Sequence, residues 1–209
     1  MNKWQAYLLG AYMTDGSISF MNKGWQYFTL EVIDQEFALK VLKCIDMLGY
    51  RGGQFYTRNK GQPPNTKPCY KAYSSDQLMC SWLRKVTNEK KELPVELFDA
   101  PREVQREFIS GAMDGDGYIS QYKNGTLGVM GFAITDLWIF QFAELLRKLG
   151  VQTSTPSRET KNRKKPLYRF RINKPSFIKA GLYFSIERKQ SRLNRIRTSE
   201  TTCEGTVKQ

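Results

Sequence analysis

The feature that most constrains the fold of this chain is an internal repeat. Residues 7–18 read YLLGAYMTDGSI, and residues 108–119 read FISGAMDGDGYI. When residues 10–49 are aligned without gaps to residues 111–150, the two stretches share ten identities. A duplication of this length predicts two equivalent halves related by an approximate twofold axis.

Each half follows the same predicted order of elements. An apolar helix ends in Asp-Gly, and strand-like segments and amphipathic helices alternate after it. The predicted strand pairs lie at 17–33 and 53–73 in the first half and at 118–134 and 152–172 in the second, and the last helices lie at 75–87 and 175–184. The pattern predicts an α+β protein, a pseudo-twofold duplicated αββαββα unit with two antiparallel sheets.

The repeat also sets the expected domain boundaries. The first half is expected at 1–91, a linker at 92–104 and the second half at 105–197. Pro101 is placed to start the second motif helix. The polar segment 198–209 lacks apolar periodicity, so it is expected to be a disordered tail.

Small residues lie four apart in both motif helices. They are Gly10 and Thr14 in the first copy and Gly111 and Gly115 in the second. Residues four apart share one face of a helix, so each helix presents a face without bulk. The two helices are therefore expected to pack closely against each other.

Close packing of these helices would bring two carboxylates together. Asp15 and Asp116 end the two helices, where the helix dipole already disfavours an anion. Divalent cations between the carboxylates would relieve their repulsion. For a single copy an ordinary helix-ending Asp-Gly turn is the simpler interpretation, but two copies with matching flanks favour a metal site.

Composition narrows the possible partners and chemistry. Lys and Arg number 33 against 20 Asp and Glu, which gives a net charge of +13 and favours a polyanionic partner such as nucleic acid. No apolar run has the length of a membrane span, so no membrane partner is expected. The sequence has no histidine, which excludes histidine-based nucleophile systems and histidine-ligated zinc.

Cysteine usage favours an intracellular protein. The four cysteines form no CxxC pair, and neither a secretory signal nor a transit peptide precedes the first motif. We therefore expect no targeting signal. The expected location is an organelle matrix if the protein is organelle-encoded, and otherwise the cytoplasm of a prokaryotic or phage-infected cell.

The paired motifs and the duplicated unit resemble the LAGLIDADG homing endonuclease family in its single-chain, two-motif type. The resemblance implies two saddle-shaped DNA-binding sheets and Mg²⁺ or Mn²⁺ bound by Asp15 and Asp116. It also implies a monomer that cuts both strands of a long, pseudo-palindromic or asymmetric DNA target, leaves short 3′ overhangs and acts in intron mobility.

The resemblance assigns further catalytic candidates. Lys91 and Lys189 resemble the active-site lysines of the family, and solvated surface lysines are an equal alternative. Glu31 falls where such enzymes place a polar residue that positions water, while its counterpart is Phe132. This difference predicts two sites that work at unequal rates.

The DNA contacts are predicted from strand alternation and basic segments. Alternate residues along a strand share one face, and Arg bidentate to guanine is the expected specific contact. Loop 158–165 and three arginines of the final helix, Arg188, Arg192 and Arg195, are expected to contact phosphates. The other candidates are Ser19, Met21, Lys23, Lys71, Tyr73, Ser120, Tyr122, Asn124, Arg169 and Arg171.

A second function stays open at this point. An intron RNA maturase of the group I type, or another non-cleaving nucleic-acid-binding protein, could use the same scaffold and would bind RNA. The presence of both motif acids and both lysines favours the nuclease.

Overall fold

The structure is a computed structural model that describes residues 1–21, 24–58, 68–119, 127–132, 136–160 and 166–201. The first half consists of α1 (Lys3–Met13), β1 (Gly16–Phe20), β2 (Gln26–Val32), α2 (Gln35–Met47), β3 (Gln54–Arg58), β4 (Cys69–Ser74) and α3 (Gln77–Val86). A short helix, α4 (Val95–Asp99), follows. The second half consists of α5 (Arg102–Asp116), β5 (Gly117–Ile119), β6 (Leu127–Phe132), α6 (Asp136–Lys148), β7 (Ser157–Glu159), β8 (Leu167–Ile172), α7 (Lys174–Lys179) and α8 (Glu187–Thr201).

The duplicated αββαββα order is confirmed. Each half forms a four-stranded antiparallel sheet, in the order β1-β2-β4-β3 in the first half and β5-β6-β8-β7 in the second. The first hairpin of each sheet, β1–β2 or β5–β6, follows directly from a motif helix. The two motif acids therefore lie where helix and sheet meet.

Three details differ from the predicted boundaries. The last helix of the second half, predicted at 175–184, is α7 and ends at Lys179. The expected linker 92–104 contains α4, and α5 begins at Arg102 directly after Pro101, as the proline predicts. Helix α8 extends to Thr201, so residues 198–201 are helical although the sequence predicts a disordered tail from residue 198. Residues 202–209 lie outside the described part.

Helices α1 and α5 pack backbone against backbone. A β-carbon at Gly10 would collide with the carbonyl oxygen of Phe108, and one at Gly111 would collide with that of Tyr7. A β-carbon at Gly115 would collide with the side-chain oxygen of Thr14. We call this contact between the two helices the glycine seam. The close packing predicted from the small residues is present.

One continuous apolar core surrounds the seam. Helix α1 is buried over most of its length, from Ala6 to Met13, and the inner faces of both sheets pack on α2 and α6. The start of α1 is fixed by a capping box, in which Asn2 and Gln5 exchange side-chain-to-backbone hydrogen bonds. No helix within the described ranges has the length and apolar character needed to cross a membrane.

Candidate active site

The two motif acids lie at the joined ends of α1 and α5. Asp15 follows the end of α1 and is exposed to solvent, while Asp116 is the last residue of α5 and is half-buried. A β-carbon at Gly115 would stand 3.1 Å from Oδ2 of Asp15, so the first acid lies directly against the end of the second motif helix. The seam therefore brings the acids together.

Glycine follows each acid because a larger side chain would not fit at that position. Neither Gly16 nor Gly117 has a positive φ. A β-carbon at Gly16 would stand 2.7 Å from Cα of Tyr12, and one at Gly117 would stand 2.8 Å from Cα of Met113. A left-handed turn, the usual reason for a glycine at the end of a helix, is therefore not the reason for these residues. The strand passes too close to the helix for a side chain.

Two lysines reach the ends of the motif helices. Lys90 donates hydrogen bonds from Nζ to the carbonyl oxygens of Thr14 (3.1 Å) and Gly16 (3.0 Å). Lys189 donates from Nζ to the carbonyl oxygens of Met113, Asp114 and Gly115, and is 7% exposed. An ammonium group at a helix C-terminus satisfies free carbonyls and offsets the negative end of the dipole.

The structure brings Lys90, the residue before the predicted Lys91, to the end of the first motif helix. Lys91 is exposed, and Lys90 is the residue that mirrors Lys189. A turn with left-handed φ at three successive residues, Asn88 (45°), Glu89 (60°) and Lys90 (65°), directs Lys90 inward. The second half delivers Lys189 from the first turn of a regular helix, so a constant alignment offset cannot match the two lysines.

The four charged groups influence one another strongly. Burial and the neighbouring charge of Asp15 together raise the pKa of Asp116 to about 7, against the opposing effect of both lysines. The protein atoms packed around the Asp15 carboxylate also raise its pKa by desolvation, although the residue keeps solvent-exposed surface, while Lys189 and Lys90 oppose this rise. Burial lowers the pKa of Lys90 to about 8 although both acids counteract it, and burial lowers that of Lys189 as well.

The acid pair fits a hard divalent cation. Carboxylate oxygens are suitable ligands for Mg²⁺ or Mn²⁺, and a cation would relieve the repulsion that raises the pKa of Asp116. Within the described ranges no group of three or more Asp, Glu, Cys or His side chains could hold a metal. A cation at the acid pair would thus need further oxygen ligands from water or from a bound phosphate.

Sequence reasoning missed the polar contacts that surround the second lysine. Asp114 is 2% exposed and accepts hydrogen bonds from the Tyr7 hydroxyl (2.5 Å) and the Ser185 amide (2.9 Å). Asp34 binds the guanidinium of Arg188 through both carboxylate oxygens, at 2.9 and 2.7 Å. No motif signals these pairs, because their partners lie 71 to 154 residues apart.

Two other candidates have neighbours that change their interpretation. Arg188 was expected to contact phosphate, but its guanidinium fork is occupied by Asp34, and the pair joins the first half to the second. Glu31 lies on the exposed face of β2, opposite Lys71, and accepts a hydrogen bond from the Cys69 thiol (3.5 Å). Its water-positioning role stays a prediction.

The predicted DNA-contacting residues of the first sheet share its open face. Lys71 and Tyr73 alternate with the buried Ala72 and Ser74, and Ser19 pairs with Tyr27. The Tyr73 ring lies between those of Tyr27 (5.7 Å) and Tyr56 (6.4 Å between centroids). Beyond the strand, Met21 is 49% exposed.

The second sheet presents arginine on its open face. Arg169 and Arg171 are exposed and alternate with the buried Tyr168, Phe170 and Ile172, as predicted. They lie beside a groove of about 400 Å³, lined by Tyr118, Ser154, Ser157, Arg169, Phe170 and Arg171. The groove is large enough for the edge of a base.

The remaining predicted contacts are only partly described. Arg192 is half-buried and Arg195 is exposed on α8. In the loop 158–165, Arg158 and Glu159 belong to β7. Lys23, Ser120, Tyr122, Asn124 and residues 161–165 lie outside the described residues.

Comparison with known proteins agrees with the duplicated fold. Residues 103–182 match the LAGLIDADG-like domain family. An uncharacterized protein from Methanocaldococcus jannaschii is 25% identical over 207 residues, which cover 91% of this chain and 70% of that protein.

Solved structures resemble both halves together. A mesophilic variant of the homing endonuclease I-DmoI aligns with a TM-score of 0.58 and 15% identity, over 85% of this chain and 92% of that one. The homing endonuclease I-WcaI bound to its DNA recognition sequence aligns with a TM-score of 0.57 and 15% identity, over 90% of this chain and 86% of that one. Full-length DUF199/WhiA from Thermatoga maritima aligns with a TM-score of 0.58 and 13% identity, over 99% of this chain but only 62% of that one.

Proposed function

We propose that this protein is a two-motif member of the LAGLIDADG family and a site-specific endonuclease that hydrolyses both strands of a DNA duplex with divalent metal. The observation that carries the proposal is the cluster of two acids and two lysines where α1 and α5 meet. The structures of I-DmoI with DNA and Mn and of I-WcaI with its recognition sequence are of DNA complexes. They support DNA as the partner here.

The acids are the proposed metal ligands. Asp15 and Asp116 would hold Mg²⁺ or Mn²⁺ together with phosphate oxygens of the bound DNA. A bound cation of this kind lowers the pKa of a coordinated water and offsets the charge that develops on the phosphate. Metal binding requires an ionised Asp116, whose pKa of about 7 in the free protein makes cation affinity increase through neutral pH.

The lysines are the proposed electrostatic partners of the phosphates. Each ammonium group is held by backbone carbonyls at the end of a motif helix, so its position is fixed before DNA binds. A preorganised cation stabilises charge that appears in the transition state without a reorganisation cost. We assign this role to Lys90 in the first half and Lys189 in the second.

The two sheets are the proposed DNA-reading surfaces. Their exposed faces carry tyrosine and lysine in the first half and arginine in the second, side chains that contact base edges and phosphates. Because the two faces differ in chemistry, the target is proposed to be asymmetric. Short 3′ overhangs, action as a monomer and a role in intron mobility are also part of this proposal.

The first experiment is cleavage of a randomised duplex library by the purified protein, with and without Mg²⁺, followed by sequencing of the cut ends. Asp15→Asn and Asp116→Asn are tested in parallel, with Asp46→Asn as a control that removes an exposed carboxylate on α2. Metal-dependent double-strand cuts at one long motif, lost in the first two variants and kept in the control, would support the proposal.

Other results would overturn it. Cutting that survives in both variants would remove the acids from the mechanism. If the protein binds nucleic acid in a salt-sensitive way but cuts no DNA, a non-cleaving role is favoured. Preferential binding to structured intron RNA would then indicate a maturase, whereas binding to duplex DNA would indicate a binding protein.

A further inference from the structure

We propose that Asp114 is a positioning residue for Lys189 alone, and that Thr87 performs the matching task for Lys90, so that the two strand cuts depend on separate supports. The inference rests on the proposed endonuclease function. It begins from a difference between the halves, since Asp114 is equivalent to Met13 in the repeat.

Asp114 fixes the segment that leads into Lys189. Its Oδ1 accepts the backbone amides of Ser185 (2.9 Å) and Ile186 (3.4 Å), and Ile186 in turn accepts the Lys189 amide at its carbonyl (2.9 Å). The Lys189 ammonium then returns to the carbonyl oxygen of Asp114 itself. A closed loop of contacts therefore joins the carboxylate, the start of α8 and the lysine.

The first half contributes to this support. The Tyr7 hydroxyl of α1 donates to Oδ2 of Asp114, and Lys40 of α2 donates to the Ser185 hydroxyl at 2.6 Å. Lys40 also pairs with Glu107 at 3.6 Å and lies 4.0 Å from the centre of the Tyr7 ring. The lysine of the second half is thus held by residues from both halves.

Lys90 has a local support. Thr87 is fully buried, donates its hydroxyl to the Leu83 carbonyl (2.8 Å) and accepts the Lys90 amide (3.0 Å). These bonds close the left-handed turn at 88–90. The printed hydrogen bonds of Thr87 lie within α3 and the segment that follows it, and a side-chain hydrogen bond links Thr87 to Tyr12 of α1. None of these partners is among the contacts that hold Asp114.

The test measures the two strand cuts separately on a duplex that carries the protein's own target, with each strand labelled. Asp114→Ala should slow the cleavage of one strand by about 10–100-fold relative to the cleavage of the other, because small displacements of a catalytic group have effects of this size. Thr87→Val should slow the cleavage of the opposite strand. Asp114→Asn keeps an acceptor for Ser185 and should restore most of the rate.

Gln105→Ala is the matched control. Gln105 lies on the same helix α5, is 3% exposed and uses its side-chain amide to cap the carbonyls of Leu97 and Phe98. Its loss should lower stability without changing the ratio of the two cuts. If Asp114→Ala changes both cuts equally, as the control does, or if Asp114→Asn is equally impaired, the inference is wrong.

Hydrogen exchange gives a readout that does not need cleavage. Asp114→Ala, or Tyr7→Phe where the alanine variant does not fold, should increase exchange at residues 185–189 and leave 87–91 unchanged, with the reverse for Thr87→Val. A protein that never cuts DNA but shows this pattern would disprove the proposed function while keeping the two supports. Exchange that rises equally in both segments would contradict the supports themselves.

Discussion

Asp116 lies where its ionised, negatively charged form is disfavoured. Burial and the nearby Asp15 raise its pKa to about 7, so the folded protein keeps a proton on it that the unfolded chain loses near pH 4. Its contribution to stability is therefore present at low pH and is lost as the pH rises from about 4 to 7. The free energy of unfolding is lowered at the pH where the proposed metal binds.

Replacing Asp116 with Asn should stabilise the metal-free protein. We expect the free energy of unfolding at pH 8 to rise by roughly 1–3 kcal/mol, and the difference from wild type to shrink towards pH 4. Denaturant unfolding at several pH values measures it. Mg²⁺ should raise the melting temperature of wild type but not of the variant, and a variant that is less stable at pH 8 would contradict the assignment.

The two adjacent lysines allow a second test at the level of residues. Lys90→Met should slow cleavage by about 10²-fold, the typical effect of losing a preorganised cation or donor. Lys91→Met should have a much smaller effect, because that side chain is exposed and Lys90 makes the contacts with the helix end. Single-turnover cleavage compares them, and the opposite ranking would restore the assignment made from sequence.

At this scale the sequence identifies the acids more reliably than their neighbours. Asp15 and Asp116 are marked by a repeated motif. Lys90 depends on a left-handed turn, and the Asp34–Arg188 and Asp114–Ser185 contacts depend on how distant segments meet. No local pattern in the chain encodes such contacts.

Among the elements, the paired helices α1 and α5 reverse the usual preference of a helix for alanine over glycine. Alanine normally favours a helix over glycine by about 1 kcal/mol. At Gly10 and Gly111 the order must reverse, because a β-carbon would collide with a carbonyl of the other helix.

Gly111→Ala should lower the free energy of unfolding by about 3 kcal/mol or more, since the colliding atoms belong to the backbone and cannot turn away. Chemical denaturation measures the change. Gly53→Ala is the control, because its β-carbon would find ordinary contacts of 3.4 Å with Leu42 and its φ is not positive. Equal effects of the two substitutions would mean that the seam tolerates separation.

The second sheet carries a prediction about base preference. Arg171 is exposed beside the groove that Tyr118 and Arg169 also line. Arg171→Ala should relax the preference at one base pair and cost about 1–3 kcal/mol there. Selection from a library of single-position target variants measures this, and a uniform loss over all sequences would make Arg171 a phosphate contact instead.

Elements were predicted well where periodicity is strong. The strands and the helices α2 and α6 follow from alternation and amphipathic spacing, and each of the two four-stranded sheets follows from their order. Helix α4 was missed because it has only five residues, too few for a periodic pattern. The continuation of α8 to Thr201 runs through polar residues that give no apolar period.

For the whole molecule, the net charge of +13 gives a prediction about binding. If the two sheets and α8 contact about 6–10 phosphates, affinity should fall by roughly 10³–10⁵ between 50 and 200 mM salt. Fluorescence anisotropy with a labelled duplex measures the slope. A shallow dependence would show that the basic surface lies away from the nucleic acid.

The overall architecture could be predicted because the duplication is visible in the sequence without any knowledge of three-dimensional contacts. Ten identities at one constant spacing predict two equivalent halves, and the apolar faces predict that they share a core. The unequal join between the halves could not be predicted. One side of it is built from Tyr7, Lys40, Glu107 and Asp114, and these polar residues lack equivalents of the same type in the other copy.

The glycine seam has a consequence for how such a protein can change. Because backbone touches backbone at Gly10 and Gly111, main-chain atoms set the distance between α1 and α5 at these positions, and with it the spacing of the motif acids at their ends. Residues on the open faces of the sheets can be exchanged without moving that distance, since none of them takes part in the seam. The seam therefore keeps the spacing of Asp15 and Asp116 constant while substitutions give the open face of each sheet a new recognition surface.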